Sequence, residues 1–251
     1  MREMNIIAPP VTVVRDYGAM STHAADAVEE LVREKPEAVL SLPTGSTPLG
    51  LFEEILVRVK SGKINFSRAH LFCLDEYVGV NREDPNSLTG FLDRSFLFGA
   101  GFDPERVHVL PSEAGDLDAA ALEYEAELRA LGGLDLVILG LGPNGHIAYN
   151  EPGSTADSRT RVLTLTSESI AQAEAYWEES VATPHHAITM GVATLLEAKA
   201  IILIVSGAAK ADMLRRTLKD PMTPEVPASF LRMAGDRLTV IVDEDAAANL
   251  G

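Results

Sequence analysis

The sequence has little cysteine and little positive charge. Cys73 is its single cysteine, which excludes a disulfide framework and a cluster of thiolate zinc ligands. Asp and Glu outnumber Lys and Arg by 37 to 21, and the formal charge is −16. So negative a chain is a poor partner for nucleic acid and for anionic membrane surfaces. An anionic small molecule has to be captured by local groups instead, namely helix N-termini and a few well-placed cations.

Long apolar segments are missing as well. No apolar run approaches the roughly 20 residues of a membrane-spanning helix, and the opening residues, MREMNIIAPP, contain no signal-peptide core. We therefore expect a soluble, cytoplasmic protein. With 251 residues, 46% of them hydrophobic, the chain can bury a large core. Since no repeat, low-complexity tract or linker divides it, we expect one domain over residues 1–251.

Short apolar runs alternate with segments of helical spacing along the chain. The runs predict strands at 11–14, 38–42, 70–74, 107–110, 135–142, 161–166, 201–205 and 238–242. Helices are predicted at 20–33, with Ser21 or Thr22 as the cap, and at 49–59, 88–98, 117–131 and 229–234. Alternation of this kind predicts an α/β fold, a doubly wound, mostly parallel, Rossmann-like sheet with helices on both faces.

The most informative stretch is residues 135–153, DLVILGLGPNGHIAYNEPG. Residues 136–141 form a continuous apolar run, as a parallel strand buried on both faces does. The glycines and prolines that follow prevent the strand from running on into a helix. Asn144, His146 and Glu151 are therefore predicted to lie on an irregular loop at the carboxyl end of a central strand, where open α/β sheets bind their ligands.

Residues 140–145 also have the glycine spacing of a dinucleotide-binding fingerprint. That motif requires a helix opening at the loop and an acidic residue roughly 20 positions later, at the end of a second strand. Pro152 and Gly153 predict a turn instead, and no strand ending in Asp or Glu follows residue 160. We interpret the match as accidental.

A second loop, PTGSTP at 43–48, joins a predicted strand to a predicted helix. Its backbone N–H groups and hydroxyls can converge at the positive end of the helix and bind a phosphate. An ordinary capped helix start is the competing interpretation. The candidate residues are Thr44, Gly45, Ser46 and Thr47. Lys210, predicted in the first turn of a later helix, is unusual there and either serves an anion or is a solvated surface lysine.

A third strand end presents Asp75, Glu76 and Tyr77. Two acids in a row after a buried strand commonly mark only a solvated exit, so this triple is informative only together with the other two loops. The acidic segment 167–183, which contains Trp177, is interpreted as a surface helix or as a lid over the loop that carries the histidine.

Six motifs, spread over most of the chain, resemble those of the glucosamine-6-phosphate deaminase family, in the superfamily that also contains the 6-phosphogluconolactonases. They are LPTGSTP (42–48), LDEYVG (74–79), GLGPNGHIAYNEPGS (140–154), SRTR (158–161), ITMGVATLLEAK (188–199) and SGAAKA (206–211). HIAYNEPG is the most diagnostic of them, because the lactonase branch lacks the Asn-Glu-Pro.

The resemblance implies conversion of glucosamine 6-phosphate and water to fructose 6-phosphate and ammonia, without a metal or organic cofactor. Asp75 matches the aspartate that moves a proton from C2 to C1, and His146 suits ring opening because an imidazole can both take and give a proton near neutral pH. Glu151 would hold the imidazole as a triad acid does. Asn144, which cannot take a proton, would orient it. The phosphate ligands implied are residues 44–47 and Lys210. A structural histidine and a turn acid are the competing interpretations of His146 and Glu151.

Three departures from the family's pattern bear on function. Many members have aspartate where this chain has Asn144. The family's lid arginine, which grips the phosphate, has no counterpart in AQAEAYWEES at 171–180, so another cation substitutes or the substrate differs. Regulated hexameric members have a lysine where Val162 and Leu163 stand, so we expect no activation by N-acetylglucosamine 6-phosphate. The sequence leaves the choice between monomer and homo-oligomer open.

Two other functions compete with the deaminase. One is a 6-phosphogluconolactonase, or a deaminase or isomerase of another amino-sugar phosphate, which the missing arginine favours. The other is a catalytically silent sugar-phosphate sensor, against which the presence of Asp75, His146 and Glu151 argues. In every case the expected partner is a small-molecule sugar phosphate.

Overall fold

A computed structural model describes residues 9–174 and 184–251. Its centre is a seven-stranded sheet in which every pair of neighbouring strands is parallel. Across the sheet the strands are β1 (Val11–Val14), β10 (Leu238–Asp243), β9 (Ala200–Val205), β6 (Leu136–Gly140), β2 (Val39–Ser41), β3 (His70–Phe72) and β5 (Val107–His108). The predicted parallel α/β fold is confirmed, with β6 in the middle.

Helices cover both faces of this sheet. They are α1 (Tyr17–Glu34), α2 (Leu49–Lys60), α3 (Leu88–Leu92), α4 (Phe98–Ala100), α5 (Leu117–Ala130), α6 (Ser167–Glu174), α7 (Val192–Leu196), α8 (Ala211–Lys219) and α9 (Glu244–Ala247). Two apolar cores result, one under α1 and α2 and the other under α5 and α8. Ile138 packs into the first core and Val137 into the second, which explains the continuous apolar run of β6.

A separate antiparallel sheet of three strands lies beside the first. Its strands, in order, are β4 (Asp75–Tyr77), β8 (His186–Thr189) and β7 (Arg161–Thr164). The strand predicted at 161–166 exists, but it belongs to this second sheet. The pairing of Asp75 with Thr189 was not predicted either, and it fixes the backbone that carries a candidate site residue.

Local hydrogen bonds explain where the helices depart from prediction. α1 begins at Tyr17, not residue 20, because the Asp16 carboxylate accepts a hydrogen bond from Ala19 N at 2.9 Å and caps it. Ser21, one of the predicted caps, is buried inside the helix. The helix predicted at 88–98 is divided by a π-helical turn, Asp93–Leu97. Three 3-10 segments complete the described elements: Pro104–Arg106, Ala208–Lys210 and Pro227–Arg237.

Two further expectations concern membrane-spanning helices and the segment at 167–183. Over residues 9–174 and 184–251, no helix combines the length and the apolar composition that crossing a membrane requires. The first half of the segment at 167–183 is helical, as α6. Its second half, with Trp177, lies outside the described residues.

Candidate active site

A cleft of about 440 Å³ opens at the carboxyl ends of β2, β3, β6 and β9, the adjacent central strands of the sheet. Cavities that bind small molecules measure roughly 300–1,000 Å³. The predicted residues that line the cleft are Thr44, Gly45, Ser46, Thr47, Asp75, His146 and Lys210. Asn144 and Glu151 are not in the wall, and both contact His146. The structure therefore brings all nine predicted site residues together.

The loop at 44–47, called the anion loop below, precedes α2. Within the described residues, no protein acceptor receives a hydrogen bond from its four backbone N–H groups or its three hydroxyls. Gly45 has φ +94°, a conformation that glycine adopts without strain. Donors without protein partners at a helix N-terminus suit an anion.

Tyr17 of α1 is hydrogen-bonded to this loop and to the start of α2. Its hydroxyl accepts a hydrogen bond from Gly50 N at 2.7 Å and donates to Ser46 O at 3.3 Å. These two bonds tie α1 to the start of α2. Sequence reasoning missed Tyr17 because nothing local relates it to a loop 29 residues away.

Lys210 reaches the cleft from the 3-10 turn before α8. Its Nζ donates a hydrogen bond to Leu141 O at 2.8 Å, and burial lowers its pKa. An ammonium carries three N–H donors, so two remain for a ligand once Leu141 is satisfied. The alternative of a fully solvated lysine is wrong, because the side chain is part-buried.

Asp75 is a buried carboxylate that has no partner within the described part of the chain. Its exposed fraction is 7%, and among the described residues no donor or cation pairs with it. Burial, and next the repulsion of the neighbouring Glu76 carboxylate, raise the pKa of Asp75 to about 7. The interpretation of this pair of acids as a solvated strand exit is therefore wrong.

The side chain of Glu76 points away from that of Asp75, because successive residues of a strand face opposite sides. Its carboxylate accepts hydrogen bonds from Ser87 Oγ at 2.6 Å, Leu88 N at 3.0 Å and Thr89 N at 2.9 Å. These donors form the start of α3, which Glu76 caps. It thus keeps a second carboxylate next to Asp75 while facing away from the cleft wall.

The imidazole of His146 is held through its Nδ1 side. Nδ1 lies 3.3 Å from Ser169 Oγ and 3.6 Å from Glu151 Oε2, and His146 N donates to Asn144 Oδ1 at 3.2 Å. Nε2 is therefore the nitrogen left for a ligand. Glu151 thus lies on the Nδ1 side of the imidazole, where it was expected to hold the ring, and the Ser169 hydroxyl lies nearer to Nδ1.

Glu151 lies behind the histidine and is itself well bonded. It accepts hydrogen bonds from Asn144 Nδ2 at 2.8 Å and from Thr166 N at 3.2 Å. Burial opposes its ionisation, but contacts with His146, Ser169 and Asn144 prevail and lower the pKa of Glu151 to about 2. It is consequently an anion at neutral pH, and the Asn144 amide, which cannot take a proton, donates a hydrogen bond to it.

Thr166 and Ser169 were not predicted, although a local signal for them exists. Thr166 precedes α6, and its hydroxyl accepts a hydrogen bond from Ser169 N at 3.3 Å. This is the pattern of an N-cap residue, and the sequence Thr-Ser-Glu-Ser at 166–169 predicts it. The cap turns both side chains toward Glu151 and His146.

Two tyrosines complete the wall beside Asp75. Tyr77 and Tyr149 share a hydrogen bond between their hydroxyls at 2.6 Å, and burial raises the pKa of Tyr149 well above its usual value. The preceding residue, Ala148, has φ +48°, which is uncommon for a residue with a side chain. Backbone strain of this kind gathers at functional sites.

Gly142→Ala tests the histidine's placement. A Cβ at residue 142 would lie 2.4 Å from His146 Nε2, so the ring has to move out of position. We expect activity to fall about 100-fold, as displacement of a reacting group by 1 Å does, with the fold intact by circular dichroism. Gly115→Ala is the matched control, since a Cβ there meets nothing within 4 Å. Wild-type activity in Gly142→Ala would contradict the placement.

The fold and cleft together define a site for a small anionic molecule that undergoes acid–base chemistry. The model of one protein family, glucosamine-6-phosphate isomerases/6-phosphogluconolactonase, matches residues 17–240. The chain belongs to this family.

Individual relatives agree with that assignment. A Rhodopirellula baltica protein named glucosamine-6-phosphate deaminase is 42% identical over 251 residues, which cover 100% of this chain and 98% of that protein. The solved structure of a monomeric glucosamine-6-phosphate deaminase matches with a TM-score of 0.92 and 34% identity, over 96% of this chain and 99% of the other. A 6-phosphogluconolactonase from Trypanosoma brucei shares the fold, with a TM-score of 0.73 and 20% identity over 98% of this chain and 100% of that one.

Proposed function

We propose that this chain, acting as a single domain, converts glucosamine 6-phosphate and water to fructose 6-phosphate and ammonia. The observation that carries the proposal is the buried, unpaired carboxylate of Asp75 in the same cleft as His146 and the anion loop. The activity named for the relatives at 42% and 34% identity supports it.

Binding begins at the phosphate. The anion loop offers backbone N–H groups at the start of α2, and Lys210 adds a positive charge. The substrate is thereby held at its C6 end while C1 and C2 face the acid–base groups. Fixing the reacting atoms in this way supplies much of the rate enhancement.

His146 opens the sugar ring. Its Nε2 accepts the proton of the C1 hydroxyl and delivers a proton to the ring oxygen, so the bond from C1 to the ring oxygen breaks and C1 becomes an aldehyde. The ionised Glu151, 3.6 Å from Nδ1, stabilises the imidazolium that forms between the two transfers.

Asp75 then carries out the isomerisation. Its carboxylate removes the C2 proton, the electron pair forms a C1–C2 double bond, and the C1 oxygen takes up a proton from the solvent, which gives an enolamine. The same carboxyl group returns the C2 proton to C1 while the nitrogen lone pair forms a C2 iminium. Water adds to C2, the bond from C2 to nitrogen breaks, and ammonia and one proton leave as the ketone of fructose 6-phosphate forms. A pKa of about 7 suits a group that must act as base and then as acid near neutral pH.

A second candidate is action on another sugar phosphate, including the lactone of 6-phosphogluconate. The segment AQAEAYWEES contains no arginine or lysine, and this absence favours a different phosphate geometry. Hydrolysis of a lactone needs no amino group and no proton transfer between carbons, so the two candidates make different products.

A substrate panel separates the candidates. Ammonia release is measured with glucosamine 6-phosphate, mannosamine 6-phosphate and unphosphorylated glucosamine, and acid release with 6-phosphogluconolactone. We expect ammonia chiefly from glucosamine 6-phosphate and very little from glucosamine, because the anion loop has nothing to bind in the latter. Acid release from the lactone without ammonia from any amino sugar would move the assignment to the second candidate. Thermal stabilisation by these compounds with no turnover would indicate a sensor.

The pH profile of kcat/KM follows from Asp75. Only the ionised carboxylate can take the C2 proton, and its pKa in the folded chain is about 7. We expect kcat/KM to rise with pH through about 7, when measured from pH 5.5 to 8.5, and then to level off. Glu76→Gln removes the neighbouring charge and should shift this rise to lower pH. A flat profile over the whole range would exclude Asp75 as the base.

A further inference from the structure

The described wall of the cleft contains two basic side chains, Lys210 and Arg94. A phosphate monoester carries about −1.5 to −2 charge at pH 7, and the ammonium of Lys210 balances only part of it. Arg94 is exposed and belongs to the π-helical turn Asp93–Leu97. Turns of this type are frequent at functional sites.

Aromatic packing places this turn beside the anion loop. Phe96, two residues after Arg94, stacks on Phe52 with ring centroids 4.8 Å apart. Phe52 lies in the first turn of α2, directly after the anion loop. Both rings are fully buried, so the backbone at Arg94 is fixed close to the helix N-terminus that faces the cleft.

The guanidinium itself is held in place but not neutralised. Nη2 donates a hydrogen bond to Pro85 O at 2.6 Å, and Gly90 leaves room for it, since a Cβ there would lie 3.0 Å from Nη1. The adjacent Asp93 binds Arg82 at 2.6 and 2.7 Å. Among the described residues, no carboxylate pairs with Arg94, although the chain has 37 acidic residues.

We propose that Arg94 is a phosphate-binding residue and supplies the second cation for the substrate's phosphate group. The segment at 171–180 contains neither arginine nor lysine, and Arg94 supplies the second positive charge in its place. The planar guanidinium has N–H groups beyond the one bound to Pro85, and these can engage two phosphate oxygens. This inference rests on the proposed function for the identity of the substrate, but the anion site can be tested separately.

Arg94→Gln and Arg94→Lys are the informative variants. Glutamine keeps a donor for Pro85 O and removes the charge, whereas lysine keeps the charge and loses the fork. We expect the KM for glucosamine 6-phosphate and the Kd for fructose 6-phosphate, measured by calorimetry, to rise about 10-fold in Arg94→Gln, as for the loss of an exposed charge-assisted hydrogen bond. kcat should change by less than about 3-fold, and Arg94→Lys should recover only part of the affinity, because an ammonium keeps the charge but cannot form the two-oxygen fork.

Arg33→Ala is the control for net charge, because Arg33 is exposed in the last turn of α1 and lies outside the cleft wall. It should bind fructose 6-phosphate as the wild type does. Wild-type Kd in Arg94→Gln, or a loss in Arg94→Lys as large as in Arg94→Gln, would overturn the inference.

Titration with inorganic phosphate distinguishes this failure from failure of the proposed function. If the wild type releases no ammonia but binds inorganic phosphate in an Arg94-dependent manner, the anion site stands and the proposed substrate is wrong. If ammonia is released and Arg94→Gln binds inorganic phosphate and fructose 6-phosphate with wild-type affinity, the function stands and Arg94 has no part in it.

Discussion

Asp75→Asn is expected to reduce ammonia release from glucosamine 6-phosphate by at least about 1,000-fold, within the range for loss of a general acid–base group. Asparagine has nearly the same shape and preserves the backbone pairing of residue 75 with Thr189. It cannot take a proton from C2, and no other unpaired carboxylate lines the described cleft wall. The loss should therefore appear in kcat, with KM little changed. Steady-state kinetics with a coupled ammonia assay measures both values.

The same variant should be more stable than the wild type at alkaline pH. The pKa of Asp75 is about 7 in the folded chain against a usual value of 3.8, so the folded state binds more protons between these values. The contribution of Asp75 to the free energy of unfolding is then fully present below pH 3.8 and is lost as the pH rises through 7. Asparagine removes this loss, and the gain at pH 8 should be on the order of a few kcal/mol. Thermal unfolding at pH 5 and pH 8 checks it. A lower Tm than wild type at pH 8 would mean that Asp75 is structural.

His146→Ala is the second variant with a large expected effect, a fall in kcat of about 100-fold or more. Without the imidazole, neither proton transfer of ring opening has a carrier. Glu151 cannot substitute, because its carboxylate lies on the Nδ1 side of the ring and outside the described cleft wall. Loss of ring opening leaves the later isomerisation groups intact, so an open-chain analogue should still bind.

External imidazole provides a direct check on that variant. The space left by the side chain lies beside Ser169 and Glu151, which can hold a free imidazole, so partial recovery of activity is expected. His23→Ala, which removes an exposed imidazole from α1, should behave as the wild type. If His146→Ala turns over at the wild-type rate, ring opening does not depend on this residue.

Much of the fold and site was predictable because the relevant signals are local. A continuous apolar run such as residues 136–140 identifies a central parallel strand, and the loop after it lies at the ligand-binding edge by topology alone. The segments at 44–47, 75–77 and 142–151 follow the adjacent strands β2, β3 and β6. Their residues were therefore expected to converge even though they are far apart in sequence.

The missed features depend on contacts between distant residues. Nothing near Asp75 reveals that it is buried without a partner, because its environment comes from β8 and from α3. Tyr17 contacts the anion loop from α1, and Arg94 reaches the cleft from a turn whose Phe96 stacks on Phe52 of α2. The second sheet was missed because its strands are three or four residues long and lack a strong alternating pattern. The Asp16 cap, by contrast, was a local signal that the helical periodicity obscured.

The most direct test of the proposed reaction is a product balance with glucosamine 6-phosphate. Ammonia and fructose 6-phosphate are measured together over one time course, for the wild type and for Asp75→Asn. We expect equal molar amounts of the two products with the wild type and neither with the variant. No ammonia from the wild type while it hydrolyses 6-phosphogluconolactone, or equal turnover by Asp75→Asn, would contradict it.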